Sequence, residues 1–595
     1  MAVYKAPLRD MRFVLNEVLN VETMSALPAF KEITPDLIDA VLEEAAKVCE
    51  QVLFPLNRSG DEEGCVFENG VVRTPKGFKQ AYDIFTEGGW TNLSTDPNYG
   101  GQGLPATVGF VVQEMICSSN LAFGMYPGLS AGAYEAIHHH ANDELKQLYL
   151  PKLGTGEWSG TMCLTEPHCG TDLGMLRSRA EPQADGTYKI SGTKIFISAG
   201  EHDLSKNIVH LVLARLPDAP GGTKGISLFI VPKFLPKADG TPGQRNGFAC
   251  GAIEHKMGIK ASSTCVMNFD GATGWLIGEA NKGLNAMFVM MNAARLGVGM
   301  QGLGLAETAY QSAAAYAKDR IQGRSLSGPK APDKPADPII VHPDVRRMLL
   351  LQKSFSEGAR ALAYWVGTLI DVARHSEDKG QREDAEDLLA LLTPVVKAYF
   401  TDLGFESANW AVQVYGGHGY IRENGVEQLV RDARITQLYE GANGIQALDL
   451  VGRKLAMNGG RPMQKWLAML HGFVAENKDN SALAEFVQPL EKATGQLQGT
   501  VMWLMQNAMR NHEEAGGAAS DFLRLFALTT MTFMWARIAK ASHAGLDKGG
   551  DAEFYNAKLT TGRFFVKRVL PQTDGLVTAI QSGVEPMMAM KAEAF

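Results

Sequence analysis

The chain has 595 residues, of which 45% are hydrophobic and 21% charged, which is enough for about four domains of roughly 150 residues each. This composition excludes intrinsic disorder, collagen-like repeats and small disulfide scaffolds. Lys and Arg number 57 against 65 Asp and Glu, for a net charge of −8. Because the basic residues are dispersed along the chain, nucleic acid is not expected as a partner.

Seven cysteines are scattered through the sequence without a CxxC pair. They are too few for a disulfide framework, so we expect a cytoplasmic protein in a reducing compartment. The N-terminal segment lacks the pattern of a secretory signal peptide, and no uninterrupted run of about 18 apolar residues occurs. We therefore expect neither secretion nor a membrane span.

Hydrophobic periodicity divides the chain into four regions. Apolar residues at helical spacing predict an N-terminal helical domain over residues 1–157, whose first long helix begins after a capping Thr34. Residues 158–281 contain β-rich segments separated by short turns, which favours an antiparallel sandwich or barrel over a doubly wound parallel sheet. Helical patterns then predict a bundle over residues 282–457 and a further helical domain over residues 458–595. The predicted fold class is mainly α, with a central antiparallel β domain and an extra C-terminal helical domain.

A GxGxxG pattern occurs at Gly297, Gly299 and Gly302. In a dinucleotide-binding turn this pattern follows a β-strand, whereas here the preceding residues have a helical pattern. We therefore interpret these glycines as a close contact, or a break, between helices.

The segment CLTEPHCGTD, at residues 163–172, combines Pro and Gly with two Thr hydroxyls. Such a turn presents N–H and hydroxyl groups that suit flavin carbonyls or phosphate oxygens, although an ordinary polar loop has the same composition. Cys163, His168 and Cys169 suggest zinc, but a fourth ligand is missing, so no metal is predicted.

Two glycine-rich segments follow in the helical bundle, QVYGGHGY at residues 413–420 and LYEGANGIQ at residues 438–446. Their glycines end a helix and permit close approach of the backbone to a ligand. The acidic Glu440 precedes a helical pattern. Taken alone, a glutamate in this position is most often a helix-start carboxylate that complements the helix dipole.

Together, in this order on a helix, β, helix plan, these segments strongly resemble the acyl-CoA dehydrogenase family of flavoproteins. The resemblance covers about residues 46–454 and includes GTKIFIS, ARLGVGMQGLG and AKDRIQGRSL. The extra C-terminal block and the segment MYPGLSAGAY, at residues 125–134, are most similar to the long bacterial branch that contains 3-methylmercaptopropionyl-CoA dehydrogenases.

The resemblance implies FAD-dependent α,β-dehydrogenation of an acyl-CoA thioester to the trans-2-enoyl-CoA. The substrate would be a short- or medium-chain acyl-CoA or 3-methylmercaptopropionyl-CoA, and the electrons would pass to electron-transfer flavoprotein. A thioester α-proton is weakly acidic, so the base must be desolvated and the enolate-like charge stabilised. Glu440 matches the catalytic base of the family, and Tyr439 matches a residue of the acyl pocket.

The resemblance also assigns ligand contacts. In the β domain, the matching FAD contacts are Met162, Leu164, Thr165, Thr171, Phe196 and Ser198. In the helical bundle, they are Arg320, Gln322, Gln413, Gly416, Gly417, Gly441, Ala442 and Asn443. Arg320 and Gln322 match residues that reach the FAD of a neighbouring subunit, which implies a homodimer or tetramer. Asn292 and Arg295 match CoA contacts, while Phe196 and Ala442 stand where the family usually has Trp and Thr.

Two alternative functions remain from the sequence. An acyl-CoA oxidase would pass the electrons to oxygen, and a catalytically silent flavoprotein would act as a binding or assembly subunit. The C-terminal block also has two interpretations. Its basic and aromatic segment at residues 556–571 is either a membrane-binding amphipathic helix or, as we expect, a helix packed on its own domain, with Trp503 and Trp535 as core or interface aromatics.

Overall fold

The structure, a computed structural model, describes residues 2–595. This part of the chain forms two compact units. One unit contains residues 2–43, Pro105–Ser118 and Val298–Phe595, and the other contains Glu44–Leu104 and Ser119–Gly297. The predicted limits of the four domains stay predictions.

The N-terminal region is helical, as predicted. The first long helix, Pro35–Val48, is capped by Thr34, whose hydroxyl accepts a 3.2 Å hydrogen bond from the N–H of Leu37. The helices of this region are Leu8–Arg12, Pro35–Val48, Pro55–Glu63, Phe78–Glu87, Ala106–Ser119, Leu121–His140 and Asp143–Gly154. A hairpin of Val66–Glu68 and Val71–Arg73 lies between them.

A seven-stranded sheet forms the β domain. Its strands are Trp158–Cys163, Arg179–Pro182, Tyr188–Ser198, Asn207–Ala214, Ser227–Pro232, Phe248–Ile253 and Thr264–Ile277, and Phe234–Pro236 pairs separately with Pro242–Arg245. The strands pair antiparallel, as expected, except that Trp158–Cys163 pairs parallel with Asn207–Ala214. The two strands of this parallel pair are not adjacent in sequence, since the chain forms two other strands of the sheet between them.

The strand Asn207–Ala214 is buried along its whole length. Val209 and Leu211 pack into a cluster with the helices Leu121–His140 and Asp143–Gly154. Val212 packs into a second hydrophobic cluster with other strands. A strand covered on both faces has a nearly continuous apolar sequence, as in this segment, which is apolar except at Asn207 and His210.

Long helices build the bundle that follows. They are Gly283–Asp319, Pro343–His375, Lys379–Tyr415, Val426–Arg434 and Asn443–Asp449. A Cβ at Gly299 would lie 2.7 Å from Cγ1 of Val396, and one at Gly302 would overlap the backbone of Phe400. The prediction that these glycines serve a close helix contact is confirmed, because both face the helix Lys379–Tyr415.

Helical segments also form the C-terminal region: Arg461–Asn477, Ala484–Ala508, Glu513–Asp547, Ala552–Phe564, Gln572–Gln581 and Glu585–Met588. Trp535 is fully buried, and its indole N–H donates to the carbonyl of Ser354 in the preceding bundle. In the segment at residues 556–571, Leu559 and Phe565 are buried, and the ring of Phe565 stacks on Trp535 of the same region with centroids 6.5 Å apart. The expectation that this segment packs on its own domain is therefore confirmed.

A buried ion network joins the beginning of the chain to this C-terminal region. Asp10 pairs with both Arg360 and Lys558, and Lys558 lies 3.0 Å from Glu357. Arg360, 1% exposed, also donates to Glu114 at 2.6 Å. Burial of charges at this depth is tolerated only when each has partners of opposite sign.

One helical segment of the described chain, Lys379–Tyr420, is long and apolar enough to cross a membrane by length and composition alone. However, 72% of its apolar window is buried inside the protein, as in a core helix. All seven cysteines belong to the described residues, and all are thiols.

Candidate active site

The loop after the strand Trp158–Cys163 is organised around Glu166, which is 3% exposed. Its carboxylate accepts hydrogen bonds from the N–H of Arg177, from the N–H and hydroxyl of Ser178, and from Nζ of Lys194 at 2.9 Å. Burial raises the pKa of this carboxyl group, but the Lys194 ammonium and these hydrogen bonds outweigh burial and lower the pKa of Glu166 to about 2. Glu166 is thus a fixed anion that holds the loop in shape.

This loop leaves several predicted FAD contacts available to a ligand. Thr165 and Ser198 are half-buried and Thr171 is exposed, and their hydroxyls make no hydrogen bond within the described residues. Met162 and Leu164 are half-buried and pack against the hydrophobic cluster beneath the loop. Hydroxyl groups without a hydrogen-bond partner, next to apolar side chains, suit a ligand that combines a flat ring with phosphate groups, such as a flavin cofactor.

Phe196 has a conformation that is costly for an aromatic residue. It has a φ of 58° and is 60% exposed, although it lies within the strand Tyr188–Ser198. The pairing of this strand shifts register between Lys194 and Ile197, so Phe196 belongs to a β-bulge. The left-handed conformation is strained for an aromatic residue, so the contacts of the surrounding strand must hold it in place.

The structure brings Glu166, His168 and Cys169 close enough to share a metal ion. The carboxylate of Glu166 is already bound by its own loop, and Nε2 of His168 lies 2.9 Å from the carbonyl of Met175. Cys163, which the sequence grouped with His168 and Cys169, instead packs in the other hydrophobic cluster of the sheet. These contacts engage the Glu166 carboxylate and Nε2 of His168 within the protein.

Glu440 lies at a sharp reversal of the chain in the helical bundle. It is half-buried with a φ of 58°, and Gly441 follows with a φ of 83°. A left-handed conformation costs a residue with a side chain on the order of 1 to 2 kcal/mol. The chain therefore retains strain at the residue that the sequence indicates as the base.

The side chain of Gln446 holds this reversal in place. Its Nε2 donates a 3.0 Å hydrogen bond to the carbonyl of Glu440, and Gln446 is fully buried. Its amide oxygen has no hydrogen-bond partner among residues 2–595. The sequence analysis did not assign a role to Gln446, because a residue six positions along the chain shows its contact only once the turn is formed.

Tyr439 donates its hydroxyl to Oε1 of Gln301, on the helix Gly283–Asp319. Burial raises the pKa of the Tyr439 phenol well above its ordinary value, so the hydroxyl remains protonated. Gln301 was also not identified from the sequence, since its contact joins positions 138 residues apart.

The side chain of Asn443 is used inside the protein. Its amide nitrogen donates to Asp402 at 2.7 Å and its oxygen accepts from Lys397 at 2.7 Å. Because the side chain is engaged in this way, Asn443 could contact a flavin only through its backbone N–H or carbonyl group. Ala442 precedes the helix Asn443–Asp449 and provides no side-chain cap, in keeping with the missing Thr hydroxyl.

A second group of predicted contacts lies where two long helices end. Tyr316 and Tyr415 stack with ring centroids 4.0 Å apart, and Tyr316 also bonds His418. This contact brings together the ends of the helices that carry Arg320 and Gln413. The FAD contacts predicted near these helix ends are all exposed: Arg320, Gln322, Gln413, Gly416 and Gly417. The side chains of Arg320, Gln322 and Gln413 make no hydrogen bond within the described residues.

The predicted CoA contacts are also neighbours. Asn292 is exposed and Arg295 is half-buried, and Nη1 of Arg295 lies 3.3 Å from Oδ1 of Asn292. The two residues lie one helical turn apart.

Four family models match the chain. They are described as the N-terminal domain of acyl-CoA dehydrogenase over residues 37–157, its middle domain over 161–272, its C-terminal domain over 281–455, and an acetyl-CoA dehydrogenase C-terminal-like domain over 466–591. Together they cover most of the sequence, including the extra C-terminal region.

Individual proteins match along nearly their full length. A 3-methylmercaptopropionyl-CoA dehydrogenase of Ruegeria pomeroyi is 45% identical, covering 95% of this chain and 96% of that protein. A butyryl-CoA dehydrogenase of Syntrophomonas wolfei is 37% identical, covering 100% and 99%. A solved acyl-CoA dehydrogenase of Bacillus anthracis, complexed with FAD, is 20% identical with a TM-score of 0.74, covering 93% and 89%, and shows the same fold.

Proposed function

Because the chain belongs to the acyl-CoA dehydrogenase family, we propose that it catalyses the FAD-dependent α,β-dehydrogenation of an acyl-CoA thioester to the trans-2-enoyl-CoA. The observation that carries the proposal is the left-handed, half-buried Glu440 held by Gln446. Strain of this kind persists where a side chain must keep one direction for chemistry.

In this reaction the Glu440 carboxylate accepts the α-proton of the thioester. The turn at Glu440 and Gly441 sets the direction of the carboxylate and of the Glu440 N–H, which the family uses to hold the thioester carbonyl. Half-burial lets a bound acyl chain exclude the remaining water from the carboxylate, as proton abstraction beside a thioester requires. Tyr439, fixed by Gln301, lines the acyl pocket beside this base.

The residues of the β domain fit a flavin. Thr165, Thr171 and Ser198 offer unused hydroxyls, and Phe196 offers an exposed aromatic wall. When bound, FAD supplies the acceptor for the hydride that leaves the β-carbon. The solved Bacillus anthracis protein of the same fold, which contains FAD, supports this choice of cofactor.

For the substrate, we infer a short-chain acyl-CoA, with 3-methylmercaptopropionyl-CoA as the first candidate. The support is the 45% identity to a relative named for that substrate and the 37% identity to one named for butyryl-CoA. Electron-transfer flavoprotein is the proposed acceptor, and a cytoplasmic homodimer or tetramer the proposed form. In the family, residues at the positions of Arg320 and Gln322 contact the FAD of a neighbouring subunit. Both residues are exposed here, which supports such an assembly.

The test is Glu440→Gln, which keeps the shape of the side chain and removes the base. Under anaerobic conditions the variant should remain yellow and bind acyl-CoA, while bleaching of the flavin by substrate slows by about 10³-fold or more. Glu386→Gln is the matched control, because Glu386 is exposed on the helix Lys379–Tyr415. Bleaching of Glu440→Gln at the wild-type rate would show that another residue is the base.

A second measurement separates the proposal from an oxidase. Enzyme reduced by substrate should be reoxidised rapidly by electron-transfer flavoprotein and slowly by air. Rapid reoxidation by air with release of peroxide would show that oxygen is the electron acceptor and that the enzyme is an oxidase.

A further inference from the structure

An open cleft of about 510 Å³ lies between the N-terminal arm, residues 19–28, and three helices of the same unit. Two of these helices, Pro343–His375 and Lys379–Tyr415, belong to the bundle, and the third, Glu513–Asp547, belongs to the C-terminal region. None of the residues assigned to acyl-CoA or FAD lines this cleft. Its volume falls in the range of small-molecule sites, about 300 to 1,000 Å³.

Arg537 places a positive charge in the cleft. Its guanidinium lies 5.7 Å from the ring centroids of Trp365 and Phe533, and its Nη2 donates a 3.2 Å hydrogen bond to the carbonyl of Val18. Among residues 2–595, no carboxylate lies within ion-pairing distance of it. Burial lowers the pKa of Arg537 to about 10, which leaves the group charged at neutral pH.

A charged group withdrawn from water is normally paired with an opposite charge. Two deeply buried cations of this unit, Arg360 and Lys558, follow that rule, since both pair with carboxylates. Arg537, by contrast, is half-buried at the cleft, where it lies against the carbonyl of Val18 and two aromatic rings and has no carboxylate partner among the described residues. An anion from solution that enters the cleft would supply a partner of opposite charge.

The rest of the lining restricts what that anion can be. Leu19, Val21, Leu27 and Val372 supply apolar walls, which suit a hydrocarbon tail. Glu377 and Asp378 also line the cleft, and their negative charge disfavours a phosphate or another multiply charged group. A planar carboxylate matches the fork of a guanidinium.

We propose that this cleft is a second ligand site, which binds a monocarboxylate with a short apolar tail through Arg537. The ligand would contact the N-terminal arm, the bundle and the C-terminal region together. Because it binds only the folded arrangement, it would also stabilise that arrangement.

The test uses the purified, FAD-loaded enzyme and sodium octanoate, followed by isothermal titration calorimetry. Octanoate should bind saturably, and octanol, with the same tail but no charge, at least about tenfold more weakly. Inorganic phosphate at equal concentration should not displace octanoate. Equal affinity for octanol, displacement by phosphate, or the absence of saturable octanoate binding would each overturn the proposal.

Arg537→Gln removes the charge, and should weaken octanoate binding by at least about tenfold while turnover of acyl-CoA is unchanged. Arg524→Gln is the matched control, since Arg524 lies on the same helix, faces Glu406 and Gln572, and does not line the cleft. Ala26→Trp, on the arm, tests the site with Arg537 intact by filling the cleft, and should also weaken binding. Unchanged octanoate affinity in Arg537→Gln or in Ala26→Trp would show that the ligand binds elsewhere.

Discussion

Glu166 and Glu440 lie in two motifs of the same kind, each a short turn rich in Gly and polar residues, yet the structure treats them in opposite ways. The Glu166 carboxylate is saturated by Ser178, Arg177 and Lys194, and its backbone is relaxed. At Glu440 the backbone is strained, with a φ of 58°. A saturated carboxylate stabilises a fold, whereas a strained backbone at the proposed base costs stability and must be held by the contacts around it.

The strongest test of this contrast is Glu166→Gln. It leaves the buried ammonium of Lys194 without an anion, so the free energy of unfolding should fall by about 3 to 5 kcal/mol. Differential scanning calorimetry measures the effect, with Glu386→Gln as the exposed control. Adding Lys194→Met should restore part of the loss, because the pair is then replaced by neutral groups. A variant that loses turnover but no stability would reverse the roles of the two glutamates.

Acid titration of the same proteins sharpens this test. The pKa of Glu166 is lowered to about 2 from an ordinary value of 4.5, so its contribution to stability is complete above pH 4.5 and is lost as the pH falls toward 2. The difference in unfolding temperature between wild type and Glu166→Gln should therefore be constant near neutral pH and shrink below about pH 4.

An effect of intermediate size is expected at Gln446→Leu. The change removes the hydrogen bond to the Glu440 carbonyl, and we expect kcat to fall about tenfold with a smaller change in KM. Stability should change little, because the loss of this hydrogen bond is offset by the removal of a buried amide oxygen that has no partner among residues 2–595. A large loss of stability with unchanged kcat would mean that Gln446 supports the fold rather than the base.

The smallest effect concerns Phe196, which shares the strained backbone of Glu440 and lies two residues after Lys194. Asn adopts the left-handed conformation at lower cost, so Phe196→Asn should stabilise the FAD-free protein by about 1 kcal/mol and weaken FAD binding. Phe196→Trp, which keeps the aromatic wall, should retain FAD. Thermal unfolding and flavin fluorescence measure the two quantities, and tight FAD binding by Phe196→Asn would remove Phe196 from the cofactor site.

Patterns of local origin could be predicted from the sequence. The cap at Thr34, the strands of the β domain and the close contact at Gly299 and Gly302 all depend on residues near in sequence or on helix geometry. The helix Leu121–His140 was not delimited, because its Pro127 and neighbouring glycines interrupt the pattern.

Features set by tertiary contacts could not be predicted. Asp10 is buried against Arg360, 350 positions away, so the arm at the start of the chain gave no local sign of its packing. The left-handed Glu440 and the inward amide of Asn443 likewise depend on Gln446, Asp402 and Lys397. The motifs identified the candidate residues in the sequence. Whether a given side chain is free to contact a ligand depends on its hydrogen-bond partners, which only the folded structure shows.

The ion network of Asp10, Arg360 and Lys558 has a consequence for how the enzyme can be shortened. Cutting the chain at residue 457 would keep the three matched domains that end at residue 455, yet it would remove Lys558, one of the two cations that pair with each of Asp10 and Glu357. The cut would also expose the surface that Trp535 covers. In this chain the C-terminal region is therefore not a removable appendage, since it supplies one of the cations that pair with the buried carboxylates of the bundle.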